Sequence, residues 1–207
     1  MLDDSRAVGF TLFATAIGSC GIAWGRGGIV GVWLPEADEA QTRRRVSAEC
    51  PAAQELAPTP AVQAVVEALV ELLRGEVSDL TFAELDMESV SPFERRVYEA
   101  TRAIPAGSTL TYGDIAVRLG QRGAVRAVGR ALGRNPFPLI VPCHRVLAAG
   151  GGDGGFSAPG GVATKRRLLA IEASRVSGQG ELFADAFDEE GASPQDGPTG
   201  SGALPRR

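Results

Sequence analysis

The sequence predicts a small α/β domain over residues 1–88, followed by a mostly helical domain of helix-turn-helix type over residues 89–175. Three observations predict it. Short β-prone runs broken by glycine pairs occupy only the first third of the chain. Strong helix start and stop signals recur after residue 58. Basic charge is concentrated in the second half: residues 91–175 hold thirteen Lys/Arg against five acids, a net +8 that leaves −12 for the rest of a chain totalling −4. An acidic chain with a basic module points to a polyanionic partner.

The elements follow in order. Residues 10–34 read as strands, punctuated by Gly18-Ser19 and by Gly25-Arg26-Gly27-Gly28. A helix is predicted over about 37–48. The next is well signalled: Thr59 as cap, Pro60 at the first helical position, Gly75 as terminator. Val62, Val65, Val66, Leu69, Leu72 and Leu73 form its apolar stripe. "LTFAELD" reads as one further strand.

The second domain opens with a capping box, Ser91 and Glu94, around Pro92. Phe93, Val97 and Thr101 share a face of that helix. A second capping box, Thr111 and Asp114, starts "TYGDIAVRLG", which Gly120 ends. A helix over 122–134 follows, stopped by Asn135-Pro136. The segment "LIVPCHRV", a Gly-rich loop to Gly161 and the helix "VATKRRLLAIEAS" complete the domain. From Gly178 onward, within a tail over 176–207, little is apolar and disorder is expected.

On a helical wheel of about 100° per residue, Arg122, Arg126, Arg130 and Arg134 fall on one arc. Ala124, Val125, Ala127, Val128, Ala131 and Leu132 oppose them. Gly123, Gly129 and Gly133 lie among the arginines. Each helical glycine costs up to about 1 kcal/mol relative to alanine. A face that must fit closely against a partner would account for them, and helix, short turn, helix is the helix-turn-helix order.

The other candidate site is Cys143-His144, which holds the chain's single histidine. Thiolate is the reactive form of cysteine, and a neighbouring base or cation increases it. Adjacency alone does not put two side chains in contact, so the reading is that Pro142 bends the chain and His144 reaches Cys143 through a water or a turn, with a carboxylate orienting it. Cys20 and Cys50 are read as spectators. Three scattered cysteines and one histidine argue against a disulfide framework or a zinc site. No apolar run approaches the roughly 20 residues of a membrane span. "MLDDSRAVGF" does not read as a signal peptide. The expectation is a cytoplasmic monomer that needs no cofactor.

"NPFPLIVPCHRV" with its Gly-rich loop resembles the active-site motif of the O6-alkylguanine-DNA alkyltransferases, the methylated-DNA–protein-cysteine methyltransferases. "IPAGSTLTYGDIA", "GAVRAVGRALGRNP" and "GGVATKRRLLAIE" are similar to the same family, and "SPFERRVYEATRAIP" is similar to its domain-entry helix. The match runs from Ser91 to Glu172; the N-terminal half matches loosely. The resemblance implies a ribonuclease H-like sheet with helices, then a winged helix-turn-helix-like domain.

The resemblance also implies irreversible transfer of an alkyl group from guanine O6, and from O4-alkylthymine, in duplex DNA to Cys143 after base flipping. His144 would deprotonate Cys143 through a water, and Glu172 would orient His144. Tyr112 would drive nucleotide rotation and protonate the base. Arg126 would fill the gap in the base stack. Ala124, Gly129, Arg130 and Arg134 would complete the DNA contacts. Asn135 would brace the turn, and Val141, Pro142, Phe156 and Ser157 would line the pocket, with the carbonyls of Val141 and Pro142 receiving the guanine amino group. The loop "GGFSAPGG" departs from the family pattern: Phe156 replaces a tyrosine and Ala158-Pro159 look inserted, which bears on alkyl-size preference. The rivals are a damage sensor without transfer, a Cys-His hydrolase and a plain helix-turn-helix regulator.

Overall fold

The structure, a computed structural model, describes residues 7–184 apart from residue 77, with side chains as far as residue 174. The N-terminal half is a sheet of order β3-β2-β1-β4. Strands β1 (Ala7–Thr15), β2 (Gly18–Gly25) and β3 (Gly28–Trp33) form an antiparallel meander. The two-residue β4 (Gln54–Glu55) adds in parallel to β1. That last strand has no sequence signal, being short and exposed.

Both sheet faces are covered. Ala7, Phe10, Ala23, Val30 and Trp33 pack with Val46 and Cys50 around α1 (Glu39–Glu49). Gly21 permits the close approach, since a Cβ there would lie 2.6 Å from a Val46 methyl. The opposite face, with Cys20, Ile22, Trp24 and Ile29, packs on α2 (Pro60–Leu73), and this core continues without a break to Leu168. The predicted α2 stripe is buried throughout, and Thr59 caps the helix as expected.

"LTFAELD" is not a strand. It touches β3 at a single residue, where Ile29 N donates to Glu84 O and Asp86 N to Ile29 O, each at 2.8 Å. Neighbouring carbonyls of Leu80, Thr81 and Ala83 accept instead from Arg102 Nη2 at 3.0–3.1 Å. A side chain satisfies the acceptors that a ladder would need.

The C-terminal half is helical. α3 (Pro92–Arg102) and α4 (Tyr112–Arg118) carry both predicted capping boxes. Tyr98 ties α3 to α5 (Val125–Gly133) by donating its hydroxyl to Ala131 O at 3.0 Å. Residues 122–124 form a tighter 3₁₀ turn rather than the first turn of α5. Such a turn advances about 120° per residue, so the uniform wheel loses phase, and Val125, placed on the buried arc, is 40% exposed. β5 (Leu110–Thr111) pairs in parallel with β6 (Val146–Leu147). α6 (Gly161–Ala184) runs past Gly178, where disorder was expected, and the remaining tail lies outside the described residues. Among the described residues no helix is long and apolar enough to cross a membrane.

The halves are stitched at the future site. Val32 N, on β3, donates to Pro136 O at 2.9 Å, and Arg167 on α6 reaches Ala16 O at 3.0 Å.

Candidate active site and nucleic-acid face

Between α5 and β6 the chain makes a tight, buried loop. Asn135 holds both ends: its Oδ1 accepts from Phe137 N and its Nδ2 donates to Val141 O, each at 2.9 Å. Leu139 sits at φ 73°, a conformation that costs a non-glycine residue of order 1–3 kcal/mol and persists only where surroundings enforce it. Here Leu139, Ile140 and Val141 are all buried. The loop delivers Cys143, His144 and Arg145 on a single 3₁₀ turn.

Val141 and Pro142 belong to the turn itself. Neither lines the two cavities that Cys143 lines. Val141 O already accepts from Asn135 Nδ2 and, at 2.7 Å, from Cys143 N, while Pro142 O accepts from Arg145 N.

Glu172 joins this turn from α6. It is 3% exposed and accepts from His144 Nε2 at 2.8 Å, from Arg145 Nη2 at 2.8 Å and Nε at 3.0 Å, and from Gly107 N at 3.3 Å. Burial opposes its ionisation, but the hydrogen bonds and charges of His144 and Arg145 outweigh burial and hold the carboxyl at about 2. An ionised Glu172 fixes the proton of His144 on Nε2. Burial also pushes the imidazole below its ordinary value against the pull of Glu172, so the ring is neutral near pH 7. Its Nδ1 is buried with no protein hydrogen-bond partner. A neutral, oriented imidazole with a free lone pair is a base awaiting a proton.

Cys143 precedes His144 on this turn. Burial raises its thiol, and the Asn135 side chain and the charge of Lys165 offset this only in part. The residue therefore rests as a thiol and needs a base to react. Lys165, which in the sequence only adds to the charge count of the basic module, is 0% exposed. Its Nζ donates to Val146 O at 2.6 Å and stands 5.9 Å from the Tyr112 ring centre. One signal could have found it: Lys165, Leu168 and Glu172 recur at helical spacing, and all three are buried.

Tyr112, at the start of α4, is half-buried, and its hydroxyl donates to Gly155 O at 3.4 Å. The Gly-rich loop thus lies on its ring. Gly154 has φ +69°, and a Cβ there would lie 2.8 Å from the ring, so only glycine fits. Asp153 anchors the loop to α6 through Arg166 Nε at 2.9 Å. Phe156 and Ser157 line a cavity of about 470 Å³ with Tyr112, Gly129, Gly133 and Cys143. Asn135 lies outside this cavity and lines a second one that Cys143 also borders.

The arginine face is exposed. Among the described residues Arg122, Arg126 and Arg130 make no ion pair, while Arg134 approaches Glu94 at 3.6 Å. Ala124 is half-buried beside them. A Cβ at Gly123 or Gly133 would meet nothing within 4 Å, and one at Gly129 would meet only the Tyr112 ring at 4.0 Å. Nothing inside the protein requires these glycines. Among the described residues no group of His, Cys, Asp and Glu is placed to hold a metal ion.

A half-buried thiol, next in sequence to a neutral histidine, thus lines a cavity together with α5, on which Arg126 and Arg130 make no ion pair among the described residues. Comparison with known proteins agrees. Residues 92–174 match the family model of the 6-O-methylguanine DNA methyltransferase DNA binding domain. The chain is 35% identical over 159 residues to the methylated-DNA–protein-cysteine methyltransferase of Methanothermobacter thermautotrophicus, covering 77% of this chain and 82% of that one. It is 42% identical over 127 residues to the Mycobacterium tuberculosis protein of that name, covering 61% and 74%. The crystal structure of Mycobacterium tuberculosis OGT in complex with DNA superposes with a TM-score of 0.63 at 34% identity, covering 81% of this chain and 94% of that one. The chain belongs to the methylated-DNA–protein-cysteine methyltransferase family.

Proposed function

We propose that this protein repairs duplex DNA by moving the alkyl group of O6-alkylguanine, and of O4-alkylthymine, irreversibly onto its own Cys143. The observation that carries the reading is the shared cavity: Cys143 opens into a space also lined by Gly129, Leu132 and Gly133 of the arginine helix. A base inside a duplex cannot present its O6 substituent to a thiol, so the nucleotide must be flipped. Arg126 fills the gap in the stack, Ala124 and Gly129 allow the backbone close to the groove, and Arg130 and Arg134 hold phosphates.

The chemistry balances within the site. His144 Nδ1 accepts the Cys143 proton through a water, with Nε2 held by Glu172. The thiolate forms a bond to the alkyl carbon as the bond from that carbon to O6 breaks. The electron pair returns to the guanine ring, which takes a proton from the Tyr112 hydroxyl. The proton on His144 replaces it through solvent. Guanine is restored and Cys143 becomes an S-alkylcysteine, a thioether that leaves no thiol for a second turnover. Phe156 and Ser157 close over the base, and Asn135 holds the turn that carries Cys143.

The finer fold assignments belong to the same proposal. Strand order β3-β2-β1-β4, with only β4 parallel to β1, supports a ribonuclease H-like sheet. α4, a short turn and α5 beside the β5–β6 pair support a winged helix-turn-helix arrangement. The domain boundary falls before α3, near residues 88 and 89. Three free cysteines suit the reducing cytoplasm.

The test is a single-turnover reaction with an oligonucleotide carrying radiolabelled O6-methylguanine, followed by intact-protein mass and peptide mapping. One methyl per chain on Cys143, absent in Cys143→Ala, is the expected result. Tight binding to the damaged duplex with an unmodified protein overturns the transferase reading in favour of a damage sensor.

A further inference from the structure

Tyr98 is buried on α3, and its side chain touches two different parts of the site. Its hydroxyl donates to Ala131 O at 3.0 Å, in the last turn of α5. Its ring meets Phe137 edge-on, with centroids 6.4 Å apart and planes at 88°. Phe137 is the base of the loop that delivers Cys143. Its N–H donates to Asn135 Oδ1 at 2.9 Å, and its carbonyl accepts from Val141 N at 2.8 Å. Residues 132–136 are all that separates Ala131 from Phe137 along the chain, so one side chain holds both ends of the connection between the arginine helix and that loop.

We infer that Tyr98 is a positioning residue for transfer, a strut that sets the arginine helix and the Cys143 turn at one separation. This rests on Cys143 being the alkyl acceptor and on α5 gripping the duplex. In a displacement at carbon, sulfur, carbon and leaving oxygen must lie in line. The duplex is held by α5, whereas the sulfur is held by the turn. The separation of those two elements therefore sets the geometry of attack. A misplacement of about 1 Å costs on the order of 10²-fold in rate.

Helix α3 is a fixed frame for such a strut. Its capping box secures the first turn. Arg96 Nη2 donates to Leu119 O at 2.7 Å, at the end of α4, and Arg102 Nη2 to the carbonyls of Leu80, Thr81 and Ala83. The hydroxyl of Tyr98 is not needed to satisfy the helix end, since Ala131 O also accepts from Arg134 N at 3.1 Å. Nor is it an acid for the reaction. Burial, then the charges of Glu94 and Cys143, hold the phenol well above its ordinary value, so it remains a hydrogen-bond donor at neutral pH.

Tyr98→Phe tests this in the full-length protein, because it deletes the hydroxyl and keeps the ring against Phe137. Three quantities are measured: affinity for unmodified duplex, the first-order rate of methyl transfer at saturating O6-methylguanine duplex, and the rate at which iodoacetamide alkylates Cys143, read by peptide mapping. The variant is expected to keep the affinity and the iodoacetamide rate of wild type while transfer falls about tenfold. Phe137→Leu cuts the strut at its other end and is expected to give the same split. The double variant should fall no further than the slower single one, because the two contacts act as a unit. Unchanged transfer in Tyr98→Phe overturns the inference. So do equal falls in transfer and iodoacetamide rate, which would make Tyr98 a support of the Cys143 turn alone, weaker duplex binding with transfer intact, and single effects that multiply in the double variant. Absence of methyl transfer in wild type would instead overturn the reading of Cys143 on which it stands.

Discussion

Glu172 accepts a 2.8 Å hydrogen bond from His144 Nε2 across 28 residues of chain, and the same carboxylate is gripped by Arg145. One buried anion therefore sets the histidine's tautomer and neutralises the neighbouring guanidinium. Orientation of the base and stability of the turn rest on one side chain.

Glu172→Gln separates these roles only partly. The amide can still meet His144, but Arg145 loses its counter-charge in a buried setting. Breaking such a pair costs about 3–5 kcal/mol. Loss of the oriented base should slow methyl transfer by about 10²–10⁴-fold. Urea unfolding and single-turnover rates measure the two effects, and a variant as fast and as stable as wild type removes Glu172 from the mechanism.

Acid should weaken the protein in two stages. His144 has its folded value pushed down by burial, so its contribution is present above the ordinary value of 6.5 and is lost as pH falls below it. Glu172 falls from 4.5 to about 2 on folding, so its contribution is lost as pH drops through that window. The transfer rate, which needs neutral His144, should stay flat from pH 8 down to 6.5. A pH–rate profile with an inflection above 6.5 contradicts this assignment.

Lys165→Met tests the buried cation. Its positive charge is among the influences that lower the Cys143 thiol against burial. Removing it should raise the apparent thiol pKa and slow alkylation at pH 7, while methionine keeps most of the packing. Iodoacetamide reactivity against pH reports the thiol directly. An unshifted profile means that Lys165 serves only its hydrogen bond to Val146.

Gly129→Ala should stabilise and disable at once. The new methyl would touch only the Tyr112 ring at 4.0 Å, an ordinary contact. Helix propensity then predicts a gain approaching about 1 kcal/mol. The same methyl projects into the cavity and the proposed groove contact, so affinity for alkylated duplex should fall. Thermal unfolding with a DNA titration settles it, and unchanged affinity would show that the glycine serves no close approach.

Local features were legible wherever sequence and short-range physics agree. Both capping boxes, the α2 stripe and the glycine-terminated helices involve residues three or four apart, and each was found as read. The strand read over "LTFAELD" was wrong because its carbonyls are satisfied by Arg102, a residue of the next domain. Val125 was misplaced because a wheel assumes one helix type throughout. That the carbonyls of Val141 and Pro142 also brace the turn was not legible, because their donors are set by its local geometry.

By itself the sequence determined that a lone histidine adjoins a cysteine, that arginines recur every four residues on one helix, and which family motif contains both. Only the tertiary structure decided that Lys165 is buried beside Tyr112 and that Glu172 lies between His144 and Arg145. It alone set Cys143 between two cavities, one of them walled by α1. The reason is distance along the chain. Periodicity reports which face of an element is buried, whereas burial of a charge depends on partners that arrive from elsewhere, and those exist only once α6 has docked against the Cys143 turn.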